Sequence, residues 1–121
     1  MRPVVEIALF TENVVALSGF YTRSLGAEPV FQNEGMALFQ VDGLQLLIHH
    51  KAPPDPAYTV DADGPPNEDH IALAVPDLDA ACAELEGQGL TIALPAQSFP
   101  WGRSAYLRDP DGRLIELSER A

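Results

Sequence analysis

The feature that most constrains the fold of this 121-residue chain is an order of predicted elements that occurs twice. In each half, a strand of alternating apolar residues is followed by a helix and then by three short strands. The two opening strands cover residues 4–10 and 69–75. The sequence therefore predicts a single α+β domain made of two tandem βαβββ modules, residues 1–50 and 69–121, joined by residues 51–68.

The ends of the two predicted helices carry clear signals. Asn13 and Asp77 are suitable N-caps, because their side-chain oxygens can accept hydrogen bonds from free amides of the first turn. Gly26 is placed to end the first helix, and Gly87 and Gly89 to end the second. The other predicted strands are residues 29–32, 36–41 and 44–49 in the first half, and residues 90–94, 103–108 and 113–118 in the second.

Residues 51–68, between the two modules, are rich in proline and in acidic side chains. Loops of this length are uncommon in compact domains unless they are linkers or functional lids. We interpret this segment as a linker.

Charge and composition exclude several classes of function. The formal net charge of −11 argues against a nucleic-acid partner, because phosphate binding requires a basic face, but it leaves cationic small molecules as ligands. No apolar run approaches the roughly 20 residues that a membrane helix needs, so no membrane partner is expected. The single cysteine, Cys82, and an N-terminal sequence without signal-peptide features predict a cytoplasmic protein.

Polar residues occupy equivalent positions in the two halves. Glu6 and His70 have the same place in the two opening strands, and Glu116 lies in the last strand, four residues after its turn glycine. The equivalent position in the first half is Leu47. If the halves are related by an approximate two-fold axis, these four residues converge, which gives three possible metal ligands and one apolar residue.

Three stretches carry a resemblance to a known family: EIALFTENVVALSGFYTRSLG, HIALAVPDLDAACAELEGQG and PWGRSAYLRDPDGRLIEL. They resemble the two strand–helix openings and the terminal hairpin of the vicinal oxygen chelate superfamily, which includes glyoxalase I, extradiol dioxygenases, and the fosfomycin and bleomycin resistance proteins. The resemblance covers nearly the whole chain and implies that the two modules form one cupped mixed sheet. In metal-binding members the four positions hold one divalent cation, so Glu6, His70 and Glu116 match that pattern and Leu47 departs from it.

The resemblance also implies a cofactor, a catalytic residue and an assembly. The cofactor would be a divalent metal ion, and two carboxylates with one imidazole suit Mn, Fe, Ni, Zn or Mg. Glu116 would serve as a ligand and as a catalytic base. The chain would form a homodimer in which Glu6 of one chain meets His70 and Glu116 of the other; pairing of the two modules within one chain is the alternative.

A substrate pocket for a small-molecule ligand is expected beside these residues. Core packing is an alternative role for Tyr106, packing on its own domain for Trp101, a solvent-exposed strand end for His49, and surface ion pairing for Arg103. The residues predicted to line the pocket are Phe10, Phe39, Leu47, His49, Trp101, Arg103 and Tyr106.

Two functions remain open from the sequence. The first is a glyoxalase- or dioxygenase-like enzyme, a lyase or isomerase, that binds a divalent metal and a small oxygen-bearing ligand; His70 and Glu116 favour it, since an apolar cavity has no need of them. The second is a metal-free protein similar to bleomycin resistance proteins, which sequesters a small molecule. Leu47, the acidic charge and the stretch NEGMALFQVDGLQLLIHHKAPPDP favour the second.

Overall fold

A computed structural model describes residues 1–52 and 57–120 of the chain. This part of the protein contains eight β-strands, two α-helices and one short 3-10 helix, Val60–Ala62, and the predicted α+β class is confirmed. The elements are β1 (Val4–Thr11), α1 (Val14–Leu25), β2 (Phe31–Gln32), β3 (Met36–Val41), β4 (Leu44–His50), β5 (His70–Val75), α2 (Leu78–Gly87), β6 (Ile92–Phe99), β7 (Gly102–Arg108) and β8 (Leu114–Glu119).

Both helices begin at the capping residues that the sequence indicated. The side chain of Asn13 accepts a hydrogen bond from the amide of Ala16, and Asp77 does the same for Ala80, each at 3.0 Å. Gly26 ends α1 with φ of 72°, a left-handed conformation in which glycine has no steric penalty. These local signals fix where each helix starts before any tertiary contact is considered.

The eight strands form one curved sheet in the order β2-β3-β4-β1-β5-β8-β7-β6. Within each module the first and last strands are parallel, β1 with β4 and β5 with β8. The modules join through β1 and β5, which pair antiparallel within the same chain. Glu6, His70 and Glu116 of one chain therefore lie in one sheet, and the expectation that each site combines Glu6 of one chain with the other two residues of a second chain is wrong for this structure.

The two faces of the sheet differ in character. One face packs under the helices in two apolar cores, the first containing Val14 and Phe39 and the second Leu78 and Leu117. Glu6 and Glu116 point to the opposite, concave face. Because side chains alternate along a strand, the polar residues of β1, β5 and β8 share that concave face.

Strand β6 differs from its predicted extent of residues 90–94, since it runs from Ile92 to Phe99. The longer strand contains Pro95, which cannot donate a hydrogen bond to a neighbouring strand. Here β6 is at the edge of the sheet, and its pairing with β7 is irregular on both sides of Leu94. An edge strand with a bulge accommodates proline.

The segment between the modules is partly ordered against the sheet. Val60 is buried, with 1% of its surface exposed, although the segment was interpreted only as a linker. Residues 53–56 of that predicted linker lie outside the described residues. No helix in residues 1–52 or 57–120 combines the length and apolar character needed to cross a membrane.

Candidate functional site

The register of the central strands brings the predicted ligand positions together on the concave face. Glu6 pairs with Ala72 of β5, and Ala72 pairs in turn with Glu116 of β8. In the neighbouring row Ala8 pairs with Leu47 on one side and with His70 on the other. The two alanines, Ala8 and Ala72, thus lie between the four positions, and their small side chains leave the space above them to the larger residues.

His70 and Glu116 form a buried pair on the concave face. The Nε2 atom of His70 lies 3.0 Å from Oε1 of Glu116, and only 3% and 7% of the two side chains are exposed. The Nδ1 atom of His70 lies 2.9 Å from the carbonyl oxygen of Glu68. Because a carbonyl only accepts, Nδ1 carries a proton, and Nε2 is the nitrogen turned towards the carboxylate.

The second oxygen of Glu116 is held by a residue that the sequence analysis did not identify. Ser104 donates a hydrogen bond of 2.7 Å to Oε2 of Glu116, and Trp101 donates one of 3.3 Å to the hydroxyl of Ser104. Because Ser104 donates to the carboxylate and not to the histidine, this is not a nucleophile–base arrangement. Alternation along β7, which places Ser104 on the same face as Tyr106, is the signal that could have found it.

Burial and hydrogen bonding have opposite effects on the pKa values of His70 and Glu116. Burial acts to lower the pKa of His70, but its hydrogen bonds with Glu116 and Glu68 outweigh burial and raise it. Burial acts to raise the pKa of Glu116, but the hydrogen bonds from His70 and Ser104 outweigh burial and lower it. The pair is therefore an imidazolium and a carboxylate over part of the acidic range, and Glu116 stays ionised at neutral pH, though as a weaker proton acceptor.

Glu6 lies on the same face but has different partners. Its Oε2 atom accepts a hydrogen bond of 3.0 Å from Gln45 and lies 3.9 Å from a guanidinium nitrogen of Arg120. Burial and the negative charge of Glu116 raise the pKa of Glu6. Gln45 and Arg120 were not identified from the sequence, although Gln45 lies two residues before Leu47 on the same face of β4, and Arg120 directly follows β8, four residues after Glu116.

Four of the residues predicted to line the pocket lie around this centre. The ring of Phe10 is 5.5 Å from that of His49 and 5.9 Å from that of His70, and Tyr106 meets His70 edge-to-face at 5.9 Å. Trp101 is half exposed and stacks on Phe99 at 4.6 Å. A cleft of about 710 Å³ opens at the strand ends beside Phe10 and His70. It is also lined by Ile7, Leu9 and Ile115, which pack on the helix side of the sheet, so it is not a pocket of the concave face alone.

Two predicted pocket residues lie on the other face, so the structure corrects them. Phe39 is buried in the core beneath α1, because its partner in the β3–β4 pairing, Leu46, faces the helix. Arg103 forms ion pairs with Asp79 of α2 and with Glu119 at the outer side of the sheet. Neither side chain is available to a ligand on the concave face.

Tyr106 is, like Ser104, completely buried in the site. Its side chain is fully buried, and its hydroxyl has no hydrogen-bond partner within the described ranges. Both oxygens of the nearby Glu116 already accept hydrogen bonds, from His70 and Ser104. Burial raises the pKa of Tyr106, and so do the negative charge and the nearness of the Glu116 carboxylate, so the hydroxyl is a neutral donor at neutral pH.

The donors fit a metal ion in part. His70 and Glu116 are in contact, and each has a further hydrogen bond that orients it: His70 to the carbonyl of Glu68, and Glu116 from the hydroxyl of Ser104. Metal ligands are usually oriented by second hydrogen bonds of this kind. Glu6 is bound to Gln45 and Leu47 is apolar. In residues 1–52 and 57–120, no three His, Cys, Asp or Glu side chains converge as a set that could hold a metal ion.

Solved structures with the same fold come from several bacteria. Methylmalonyl-CoA epimerase from Mycobacterium tuberculosis is 22% identical, with a TM-score of 0.70 over 98% of this chain and 87% of that one. A glyoxalase/bleomycin resistance protein/dioxygenase superfamily member from Vibrio splendidus 12B01 is 16% identical, with a TM-score of 0.64 over 99% and 100%. A chain described as NAD-dependent benzaldehyde dehydrogenase from Legionella pneumophila is 16% identical, with a TM-score of 0.73 over 96% and 98%.

At these identities the structural likeness shows the fold alone. No curated protein matches the chain in sequence. The family description that does match, over residues 4–117, spans both modules and the segment between them. The chain belongs to the Glyoxalase/Bleomycin resistance protein/Dioxygenase superfamily.

Proposed function

We propose that this protein binds one divalent metal ion and a small oxygen-bearing ligand on the concave face, and acts on that ligand as a lyase or isomerase. The observation that carries the proposal is the His70–Glu116 pair, with Nε2 and Oε1 3.0 Å apart, in the second module on β8 and on β5, the strand that joins it to the first. A buried charged pair is costly unless it is fully hydrogen-bonded, and removing it in favour of apolar residues is often neutral or stabilising. Its presence at the centre of the concave face supports a role other than stability.

Each residue of the site has a distinct part in this proposal. His70 and Glu116 would hold the ion, with Glu6 as the third ligand, and two carboxylates with one imidazole favour Mn, Fe, Mg, Zn or Ni. A bound divalent ion would polarise an oxygen of the ligand and stabilise negative charge that develops on it. The carbonyl of Glu68 and the hydroxyl of Ser104 orient the imidazole and the carboxylate.

Glu116 is the proposed proton carrier. An ionised carboxylate beside the ligand can accept a proton from a carbon next to a carbonyl group and return it to the same or to a neighbouring carbon, which is the balance of an isomerisation. One of the fold neighbours is an epimerase by name, which agrees with a reaction of this class. The substrate itself does not follow from this likeness.

A specific observation favours a second candidate, a metal-free protein that sequesters a small molecule. The guanidinium group of Arg120 lies 3.9 Å from Glu6 and supplies a positive charge to the site from within the chain. Leu47 removes one of the four ligand positions. In this case the concave face would hold a ligand by shape and charge alone.

Metal analysis distinguishes the two candidates. The protein should be produced without an affinity tag, analysed for bound metals, stripped with EDTA, and titrated with Mn²⁺ by calorimetry. We expect near-stoichiometric binding in the wild type and its loss in His70→Ala and in Glu116→Gln. His50→Ala and Glu84→Gln change the same residue types at exposed positions outside the site and should bind as the wild type does. Absence of metal and of binding heat in the wild type would refute the first candidate and leave the second.

Assembly and location are further parts of the proposal. We propose a cytoplasmic homodimer, now with a complete site in each chain. Light scattering after size-exclusion chromatography should give twice the 13.1 kDa mass of the chain. A mass near that of one chain would refute the dimer without affecting the site.

A further inference from the structure

The segment between the modules covers part of the concave face. Val60 packs in an apolar cluster with Leu94, Tyr106 and Leu114, all of which are also almost fully buried. Phe99 lies against the same cluster. We call residues 59–69 the lid, because their contact with the sheet is what shields these residues from solvent.

An arginine fastens the lid to the sheet. Arg108 of β7 lies 2.8 Å from a carboxylate oxygen of Asp61 and 2.8 Å from one of Glu68, with further hydrogen bonds to both. The same lid residue, Glu68, offers its carbonyl oxygen to Nδ1 of His70. The lid is therefore connected both to the sheet and to the proposed catalytic pair.

With the lid in place, the Tyr106 hydroxyl has no hydrogen-bond partner among the described residues. A buried hydroxyl without a partner costs free energy, and phenylalanine would fill the same space without that cost. The hydroxyl approaches Glu116 and Ser104 without forming a hydrogen bond of good geometry with either, so it is on the side of the ring that faces the site. Such groups in native proteins require an explanation, and a hydrogen bond that the hydroxyl donates to a ligand is one.

We propose that Val60 occupies the place of the apolar part of the ligand, and that when the lid lifts, the Tyr106 hydroxyl donates its hydrogen bond to an oxygen of the ligand. The inference rests on the proposed function for the position of the ligand's oxygens, near His70 and Glu116. The space that Val60 vacates is lined by Leu94, Phe99 and Leu114. The ligand class is therefore a small molecule in which oxygen atoms are joined to an apolar arm.

Arg108→Gln tests the lid, with the neutral methyl ester of benzoylformate as the probe and the methyl ester of pyruvate as the probe without an aromatic arm. Neither ester carries a charge that Glu116 would repel. All measurements are made in EDTA, so that failure of metal binding and failure of the lid are separate results. Arg113→Gln is the matched control, because Arg113 also forms two ion pairs, with Asp109 and Asp111, but none with the lid. Val60→Ala shortens the side chain that the lid inserts into the apolar cluster and leaves Arg108 in place. It provides a second variant if the first does not fold.

Hydrogen exchange should be faster in residues 59–69 of Arg108→Gln than in the control. Methyl benzoylformate should bind about fivefold more tightly to Arg108→Gln and to Val60→Ala than to the wild type, because the open state is more populated. Methyl pyruvate should show no such gain. Unchanged exchange in the lid would overturn the role of Arg108, and faster exchange without tighter binding of methyl benzoylformate would overturn the role of Val60.

Tyr106→Phe tests the hydroxyl. The ligand-free variant should keep or raise the melting temperature, since an unpaired buried group is removed. Introduced into Arg108→Gln, it should weaken methyl benzoylformate binding by about fivefold, the equivalent of one hydrogen bond. A clear drop in melting temperature, or unchanged binding, would overturn the assignment of Tyr106 to the ligand.

Discussion

Substitution of Glu116 tests whether the buried pair behaves as the geometry indicates. In Glu116→Gln, the amide oxygen can accept from Ser104 and the amide nitrogen can donate to Nε2 of a neutral His70, whose proton stays on Nδ1. Every buried polar atom of the group then keeps a partner. In Glu116→Ala, Nε2 of His70 and the hydroxyl of Ser104 both lose the carboxylate oxygen they contact, in a buried environment.

The magnitudes follow from this difference. Two unit charges 3.0 Å apart attract by about 5 kcal/mol at an effective dielectric constant of about 20, and desolvation of both groups offsets most of that gain. Exchanging the ion pair for neutral hydrogen bonds should therefore cost about 1 kcal/mol in the free energy of unfolding. Glu116→Ala should cost about 3–5 kcal/mol, because it leaves polar groups buried and unpaired.

The same pair predicts how stability depends on pH. The folded pKa of His70 is raised, so its contribution is complete below its ordinary value of 6.5 and is lost as the pH rises through the folded pKa. The folded pKa of Glu116 is lowered, so its contribution is complete above 4.5 and is lost as the pH falls through the folded pKa. The pair should contribute most between pH 4.5 and 6.5. In Glu116→Gln the decline above pH 6.5 should be much smaller.

Urea unfolding followed by circular dichroism, at pH 5.5 and pH 8.5 in EDTA, measures both effects. Equal slopes against urea would show that the midpoints report stability. The reasoning would be refuted if Glu116→Gln cost as much as Glu116→Ala, or if it kept the full decline of the wild type above pH 6.5.

The remaining predictions concern single side chains of the two faces. Phe39→Ala should lower the free energy of unfolding by about 3–5 kcal/mol and leave Mn²⁺ binding unchanged, because Phe39 lies in the core under α1; weaker Mn²⁺ binding in a folded variant would contradict that placement. Leu47→His should strengthen Mn²⁺ binding about tenfold in calorimetry, because it restores a donor beside His70; no gain would show that the position does not face the ion. Arg120→Gln should also strengthen Mn²⁺ binding, since it removes a positive charge next to Glu6, and weaker binding would assign Arg120 a supporting role in the site.

The repeated order of elements could be predicted from the sequence because each signal is local. Asn13, Asp77 and Gly26 determine the helix ends through bonds to residues within four positions. Alternation in the opening strands indicates which residues share a face. The equivalence of Glu6 and His70 follows from these two facts alone.

The faces of individual side chains and the contacts of the lid could not be predicted, because they depend on strand register and on residues that are distant in the sequence. Phe39 could be assigned to a face only once its pairing with Leu46 was known. Arg103 precedes Ser104 by one residue, and that single step decides between the helix side and the concave side. Arg108 is 47 positions from Asp61 and 40 positions from Glu68 in the sequence, so no local pattern predicts these lid contacts.

The two modules differ in polarity at the equivalent positions of the site. In the second module His70 and Glu116 occupy both equivalent positions, whereas in the first module Glu6 is accompanied by Leu47. An ion held by fewer protein ligands keeps more positions for ligand oxygens, which distinguishes catalytic from structural metal sites. The lid lies over the second module, and Val60 covers the apolar cluster beside Tyr106. A ligand would therefore bind its oxygens at His70 and Glu116 and extend its apolar arm into the space that Val60 fills, so the loss of a fourth donor at Leu47 and the presence of the lid favour the same orientation of the ligand.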